Sequence, residues 1–177
     1  MPKMSIPSKS LQPPDPIPPG IYDVMLTGFK PTLSKQKEGK TQSINLNPQM
    51  KIINSTETDA EGKSLNGKPI FENLNMQAGW VIKDLIHSFG QDFVPSPTPD
   101  DPDAKGVPGF DIWDTADMKS PQTWPPYNGP LLNEVGRLEI VQVPGATASA
   151  KPRSAVKRYF CRVPGCTEQH SENLAKS

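Results

Sequence analysis

Residues 70–90 read IFENLNMQAGWVIKDLIHSFG, and the hydrophobic period changes inside this stretch. Ile70, Leu74 and Met76 fall on one side of an extended segment, whereas Trp80, Ile82, Leu85, Ile86 and Phe89 recur at the spacing that predicts one apolar helix face. Gly90 suits the left-handed residue that closes such a helix. Two strand-like runs lie upstream and two downstream, so the expected order is five strands with one helix between the third and the fourth.

Residues 21–29, IYDVMLTGF, mix aromatic, β-branched and other apolar side chains and form the first expected strand, with Gly28 at a bulge or bend. Ile44, Leu46, Met50 and Ile52 alternate with Asn45, Asn47, Gln49 and Lys51, which predicts a half-buried antiparallel second strand. Pro48 has no amide hydrogen and marks an edge or a bulge there. Between them, KPTLSKQKEGKT is a basic connection carrying Lys30, Lys35, Lys37 and Lys40. A polar hairpin follows, with Asn66 and Gly67 as its turn dipeptide. Residues 131–143, LLNEVGRLEIVQV, and 155–163, AVKRYFCRV, supply the last two strands.

With 34% hydrophobic residues and 22 prolines in 177, the chain is too proline-rich for a mostly helical protein and fits one domain of short strands with irregular connections. Residues 1–19 are expected as a flexible proline-rich arm, 20–164 as the domain, and 165–177 as a disordered tail. Residues 91–130 form an acidic, proline-rich insertion within the domain, in which Trp113, Trp124 and Tyr127 are the side chains able to pin it to the core. Trp80 is expected buried beneath the barrel, on the apolar face of the helix.

The formal net charge is zero, but the charges are sorted. Asp92, Asp100, Asp101, Asp103, Asp111, Asp114 and Asp117 cluster in the insertion, while Arg137, Lys151, Arg153, Lys157, Arg158 and Arg162 gather in the last third. A basic surface of that kind binds polyanions. An aspartate run beside prolines reads first as a solvated linker, and tethered close to a basic groove it is also placed to compete with nucleic acid.

No apolar run reaches the length of a membrane helix and the N-terminus lacks a signal-peptide core, so a cytoplasmic location is expected. In a reducing compartment Cys161 and Cys166 are expected as free thiols. Cys161, Cys166 and His170 form C-x4-C-x3-H, a weak zinc alternative that lacks a fourth ligand nearby. There is no G-x-S-x-G, no phosphate-binding G-K-[ST] loop and no H-E-x-x-H, so neither catalysis nor a cofactor is expected.

Five strands with one helix after the third is the order of the OB-fold, a small, partly open barrel whose face binds oligonucleotides. In PPGIYDVMLTGFKP, INLNPQMKI, GKPIFENLNMQAGWVIKDLIHSFG, GRLEIVQVPG and VKRYFCRVPG the chain also resembles bacteriophage single-stranded DNA-binding proteins of the OB-fold type. Pro19 and Gly20, Trp80 and Gly136 match positions typical of that family. The resemblance implies binding and protection of single-stranded DNA in phage replication or recombination, in the host bacterial cytoplasm, alongside replication or recombination proteins. Such binding needs cations for phosphates and flat rings for bases. The candidate residues are Lys30, Lys35, Lys37, Lys40, Lys51, Arg137, Lys151, Arg153, Lys157, Arg158, Tyr159, Phe160 and Arg162. The alternative is a virion structural or accessory protein, a β-rich interaction domain. The two readings differ in whether the lysines of the first connection and the basic last strand converge on one surface.

Overall fold

In the computed structural model, which describes residues 16–35, 37–40, 42–75, 79–92, 99–100, 120–145, 147 and 151–163, the chain is mainly β with one helix. The strands are β1 (Gly20–Leu33), β2 (Ile44–Ile53), β3 (Pro69–Phe71), β4 (Leu74–Asn75), β5 (Val135–Val143) and β6 (Arg153–Phe160), and α1 (Gly79–Ser88) lies between β4 and β5. They form one six-stranded sheet in the order β3-β2-β1-β5-β6, with β4 also on β2. Every pairing is antiparallel. Where a five-stranded, partly open barrel is expected, the described residues form a six-stranded sheet that is not closed, its hydrogen-bonded path ending at β3 and β6.

Alternation sets which side of each strand is buried. On β1, Tyr22, Val24 and Leu26 point into the core; a register shift between Leu26 and Gly28 changes the parity, so that Phe29 is the next buried residue. This is the bulge expected at Gly28, and it bends the strand. On β2, Ile44, Leu46, Met50 and Ile52 are buried as their spacing predicts. Pro48 sits in a central strand rather than at an edge, and its missing donor accounts for the interruption beside it. Gln49 faces Phe71 and Leu46 faces Leu74, so the break between β3 and β4, at Glu72 and Asn73, falls opposite Pro48 and Asn47, where the ladder is one N–H short.

The helix presents Ile82, Leu85, Ile86 and Phe89 to the core. Its end is a two-bond glycine cap: Gly90 has φ 84, its amide donates to His87, and the Gln91 amide donates to Ile86. The helix docks through three contacts on β5 and beyond. Phe89 covers Gly136, where an added Cβ would lie 2.9 Å from the ring. The fully buried Ser88 hydroxyl donates to the Arg137 carbonyl at 2.9 Å and accepts from the Arg137 amide at 3.2 Å. The Arg162 amide donates to the His87 carbonyl at 3.1 Å.

Two segments expected to be solvated contribute to the core. Ile17, placed by sequence in the flexible arm, is buried, and its amide donates to the Ser154 hydroxyl at 2.6 Å. Leu65, in the polar hairpin, is fully buried, over a turn organised by the Asp59 carboxylate. From the insertion, Tyr127 is buried edge-on to Phe29, and Trp124 is partly buried against the same core. Trp113 and most of the acidic run lie outside the described residues.

The two ends of the sheet are bridged by a side chain. Glu72, in the break between β3 and β4, accepts the Val156 amide of β6 at 3.2 Å. Burial, opposed by that amide and by Arg153, holds its carboxyl above the ordinary value.

Two outcomes follow from these contacts. Gly136→Ala pushes a methyl group into the Phe89 ring and should cost about 1–3 kcal/mol in denaturant unfolding; an unchanged midpoint would show that the ring gives way freely. A carboxyl whose folded pKa is raised binds its proton more tightly folded than unfolded, so its contribution is greatest below the unfolded value and falls as pH rises through the folded one. Glu72→Gln keeps an acceptor oxygen with no charge to bury. Its melting temperature should exceed that of the parent at neutral pH and converge with it at acid pH, where Glu72 is protonated. An equal gain at both pH values would exclude buried charge as the cause.

Candidate nucleic-acid interface

The side of the sheet turned away from the core is polar and carries the remaining functional side chains. On β1 it presents Met25, Thr27 and Lys30, and on β2 Asn47, Gln49 and Lys51. Register places Lys30 beside Asn47, Met25 beside Lys51, and Gly28 beside Gln49. Phe71 of β3 pairs with Gln49, and paired residues share one side of a sheet. It stands 73% exposed. A ring held out on a polar face is open to stacking by a flat ligand.

Hydrogen bonds fix the side chains around it. The Thr27 hydroxyl donates to the Gln49 carbonyl at 3.0 Å, and the Asn47 amide donates to the Thr32 hydroxyl at 3.3 Å. Asn75 donates to the Ser43 hydroxyl at 3.1 Å. The resulting surface offers amide groups, hydroxyls, two lysines and one ring, a set suited to bases and phosphates together.

The basic connection 34–43 leaves the face at the far end of β1. Its base is closed by the Ser34 amide to the Ser43 carbonyl at 2.8 Å and the Ser43 amide to the Ser34 hydroxyl at 2.9 Å. Lys35, Lys37 and Lys40 are exposed there. Lys151 and Arg153 are exposed at the β5–β6 connection, which runs past the start of β1 because Gly20 pairs with Ile140. The two basic connections therefore flank the face at opposite ends of β1 instead of meeting in one patch.

The last strand does not present the expected site. Tyr159 and Phe160 are buried, at 4% and 0% exposure, and neither offers a ring face to a base. Among the described residues the Tyr159 hydroxyl has no hydrogen-bond partner, and burial, reinforced by the charge of Glu72, pushes its pKa well above the ordinary value. Phe160 shares a side of the sheet with its partner Arg137 and lies under the Arg158 guanidinium, 5.0 Å from the ring centre.

Three cations of this strand and its neighbour are paired. Arg158 contacts Glu139 at 2.6 Å and Lys157 contacts it at 3.7 Å. Arg137 grips Asp23 at 2.7 Å, and that hydrogen bond raises the arginine's pKa. Arg162 is exposed and donates to the Val135 carbonyl. Cys161 is disulfide-bonded rather than a free thiol, which removes the thiolate that zinc ligation requires. Cys166 and His170 lie outside the described residues.

Trp80 is also placed differently from its expectation. It is 70% exposed, because about 200° of helical rotation separates it from Ile82 and turns it away from the buried stripe. Phe71, which sequence reasoning did not select, follows Ile70 in an extended segment. Alternation alone puts it on the outer side once Ile70 is inside.

No family model, curated protein or solved structure matches the chain. Among the described residues, no helix is long and apolar enough to cross a membrane.

Trp80→Ala should change stability by no more than about 0.5 kcal/mol, as for a surface residue. Loss of several kcal/mol in thermal unfolding would place the indole in the core after all.

Proposed function

We propose that this protein binds single-stranded DNA along the outer face of β1, β2 and β3, acts without catalysis, and serves replication or recombination of phage DNA in a bacterial cytoplasm. The observation that carries this reading is Phe71, an exposed ring on a sheet face lined by Gln49, Asn47, Lys30 and Lys51. Bases stack on such a ring irrespective of sequence, and lysines nearby follow the phosphates.

The order of pairing supports it. If β3 and β4 are taken as one strand interrupted opposite Pro48, the first strand lies between the second and fourth, and the fifth lies beside the fourth. We read this order as that of an OB-fold left open between its third and fifth strands, with Glu72 reaching across the gap. In that fold the face of strands two and three, with the two flanking connections, is where oligonucleotides bind. The basic connections correspond in chain order to those two, although the first-connection lysines and the last strand do not converge on one surface, a point on which the rival reading is equally served.

The rival reading, a structural or accessory virion protein, draws on the exposure of Ile21 and Trp80 as well as Phe71, since exposed apolar side chains also serve protein contacts. Titration with a homothymidine strand separates the two. Binding should weaken with salt at a log–log slope of about −0.7 for each phosphate neutralised, and Lys51→Gln should make that slope shallower. Phe71→Ala should cost about 1–3 kcal/mol of affinity with the melting temperature unchanged. Absence of any complex at low salt would overturn the single-strand reading, and full affinity in folded Phe71→Ala would remove the face from the site.

A further inference from the structure

Beyond Lys51, the outer side of the sheet opens into a cleft with a volume of about 580 Å³, lined by Asp23, Asn54, Val135, Arg137 and Arg162. Its position follows from register. Lys51 pairs with Met25 and Met25 with Val135, so the three form one row across β2, β1 and β5. Arg162 completes the row, because its side chain donates to the Val135 carbonyl. Neighbouring strands lie about 4.8 Å apart, which sets Lys51 and Arg162 at the two ends of a track roughly 10–15 Å wide. Met25 and Val135 lie between them, half-buried and apolar.

The positive charge of the cleft is concentrated at Arg162. Arg137 and Arg158 are matched by carboxylates, Asp23 at 2.7 Å and Glu139 at 2.6 Å. Among the described residues Arg162 has no carboxylate partner, and the lining as a whole sets two guanidiniums against one carboxylate. A smaller cavity of about 210 Å³ alongside shares Asp23, Asn54 and Arg137 but reaches Glu57 instead of Arg162. An anion arriving from solvent is therefore attracted to the Val135–Arg162 end and repelled from the other.

Arg162 is also held in place before any ligand arrives. Its amide donates to the His87 carbonyl at 3.1 Å, the Cys161 before it is buried and disulfide-bonded, and its Nη1 is engaged by the Val135 carbonyl. A guanidinium has five N–H donors. One spent on a carbonyl orients the fork and leaves the others for a bidentate contact with a phosphate, and less side-chain freedom remains to be lost on binding. The volume is that of a small-molecule site, enough for a phosphate with its attached sugar.

We propose, building on the single-strand reading of the outer face, that the strand leaves Phe71, crosses the sheet over Lys51 and Met25, and sets one backbone phosphate on Arg162 in this cleft. The track is then a cation, an apolar surface and a second cation. Lys51 and Arg162 each take a phosphate, and the polarisable thioether of Met25 lies under the nucleoside between them. The cleft reads no sequence, since a phosphate contact carries no base information.

The test is a salt titration of homothymidine binding to the full-length protein. Arg162→Gln should make the log–log slope shallower by about 0.7, the value of one phosphate, with the melting temperature unchanged. Arg162→Lys should restore the slope. Lys83→Gln, which removes an exposed cation from the helix on the other side of the sheet, should leave it as it is. In the unsubstituted protein, homothymidine should shift the Val135 amide and Met25 methyl resonances, a readout that does not depend on any variant folding. A slope reduced by Lys51→Gln but kept in Arg162→Gln, with Val135 unshifted, would overturn the cleft and leave the face standing. Equal reductions in Arg162→Gln and Lys83→Gln would reduce the effect to net charge and would also overturn it. Inorganic phosphate that shifts Val135 where homothymidine does not would identify a free-anion site and sink the proposed path of the strand. Absence of any complex at low salt would overturn the single-strand reading and the cleft together.

Discussion

The contact on which the rest of the arrangement depends is the seating of the last helical turn on the start of β5. Gly136 has no side chain, so the Phe89 ring lies directly on the strand, and the adjacent Ser88 hydroxyl both donates to and accepts from the backbone of Arg137. A hydroxyl used in both directions leaves no buried polar atom unmet at this junction. Because Val24 pairs with Gly136 and Asp23 with Arg137, the same contact that fixes the helix also fixes the position of the Asp23–Arg137 ion pair. The helix is thus the support for this ion pair although it lies on the opposite side of the sheet.

The open end of the sheet has a different logic. A barrel closes when its last strand finds a full ladder on its third, but here the third strand is broken opposite Pro48, and neither β3 nor β4 pairs with β6. Glu72 fills the gap with a carboxylate that accepts one amide from β6. Its charge, in turn, lies close enough to raise the pKa of the buried Tyr159 hydroxyl. One proline therefore connects to an interrupted strand, a side-chain bridge and a perturbed acid, three features that look unrelated when taken residue by residue.

The parts of this structure legible in the sequence were those where one side of an element is uniformly buried. β2 follows its alternation over ten residues, and the helix stripe from Ile82 to Phe89 ends at the glycine cap that the sequence marks. The site was less legible, for identifiable reasons. Trp80 was grouped with the stripe by hydrophobicity, whereas its angle around the helix places it outside. Tyr159 and Phe160 are consecutive, so alternation offers one of them to solvent; in the structure Tyr159 enters the core and Phe160 is covered on the other side by Arg158. Phe71 follows from Ile70 by parity, but it sits in a strand of three residues, too short for alternation to be read with confidence from neighbours. The pairing of cations with carboxylates from other strands, Arg137 with Asp23 and Arg158 with Glu139, depends on register that one sequence does not reveal.

That pairing changes how a nucleic acid would be held. The sequence gathers cations in its last third, and a simple reading makes them a phosphate track. Folding returns several of them to carboxylates: Glu139 takes both Lys157 and Arg158, and Asp23 takes Arg137. Exposed pairs of this kind contribute little to stability, but they lower the positive potential along the face. Among the described residues, Lys30 and Lys51 stand on that face without a carboxylate partner, and the other exposed lysines lie mainly in the flanking connections. On the proposed single-strand reading, electrostatic attraction would act at the ends of the face to bring a strand in, and the centre, with Phe71 and Gln49, would meet the bases. A surface divided in this way would hold all sequences alike, because neither phosphate contacts nor a stacking ring distinguishes strongly between bases.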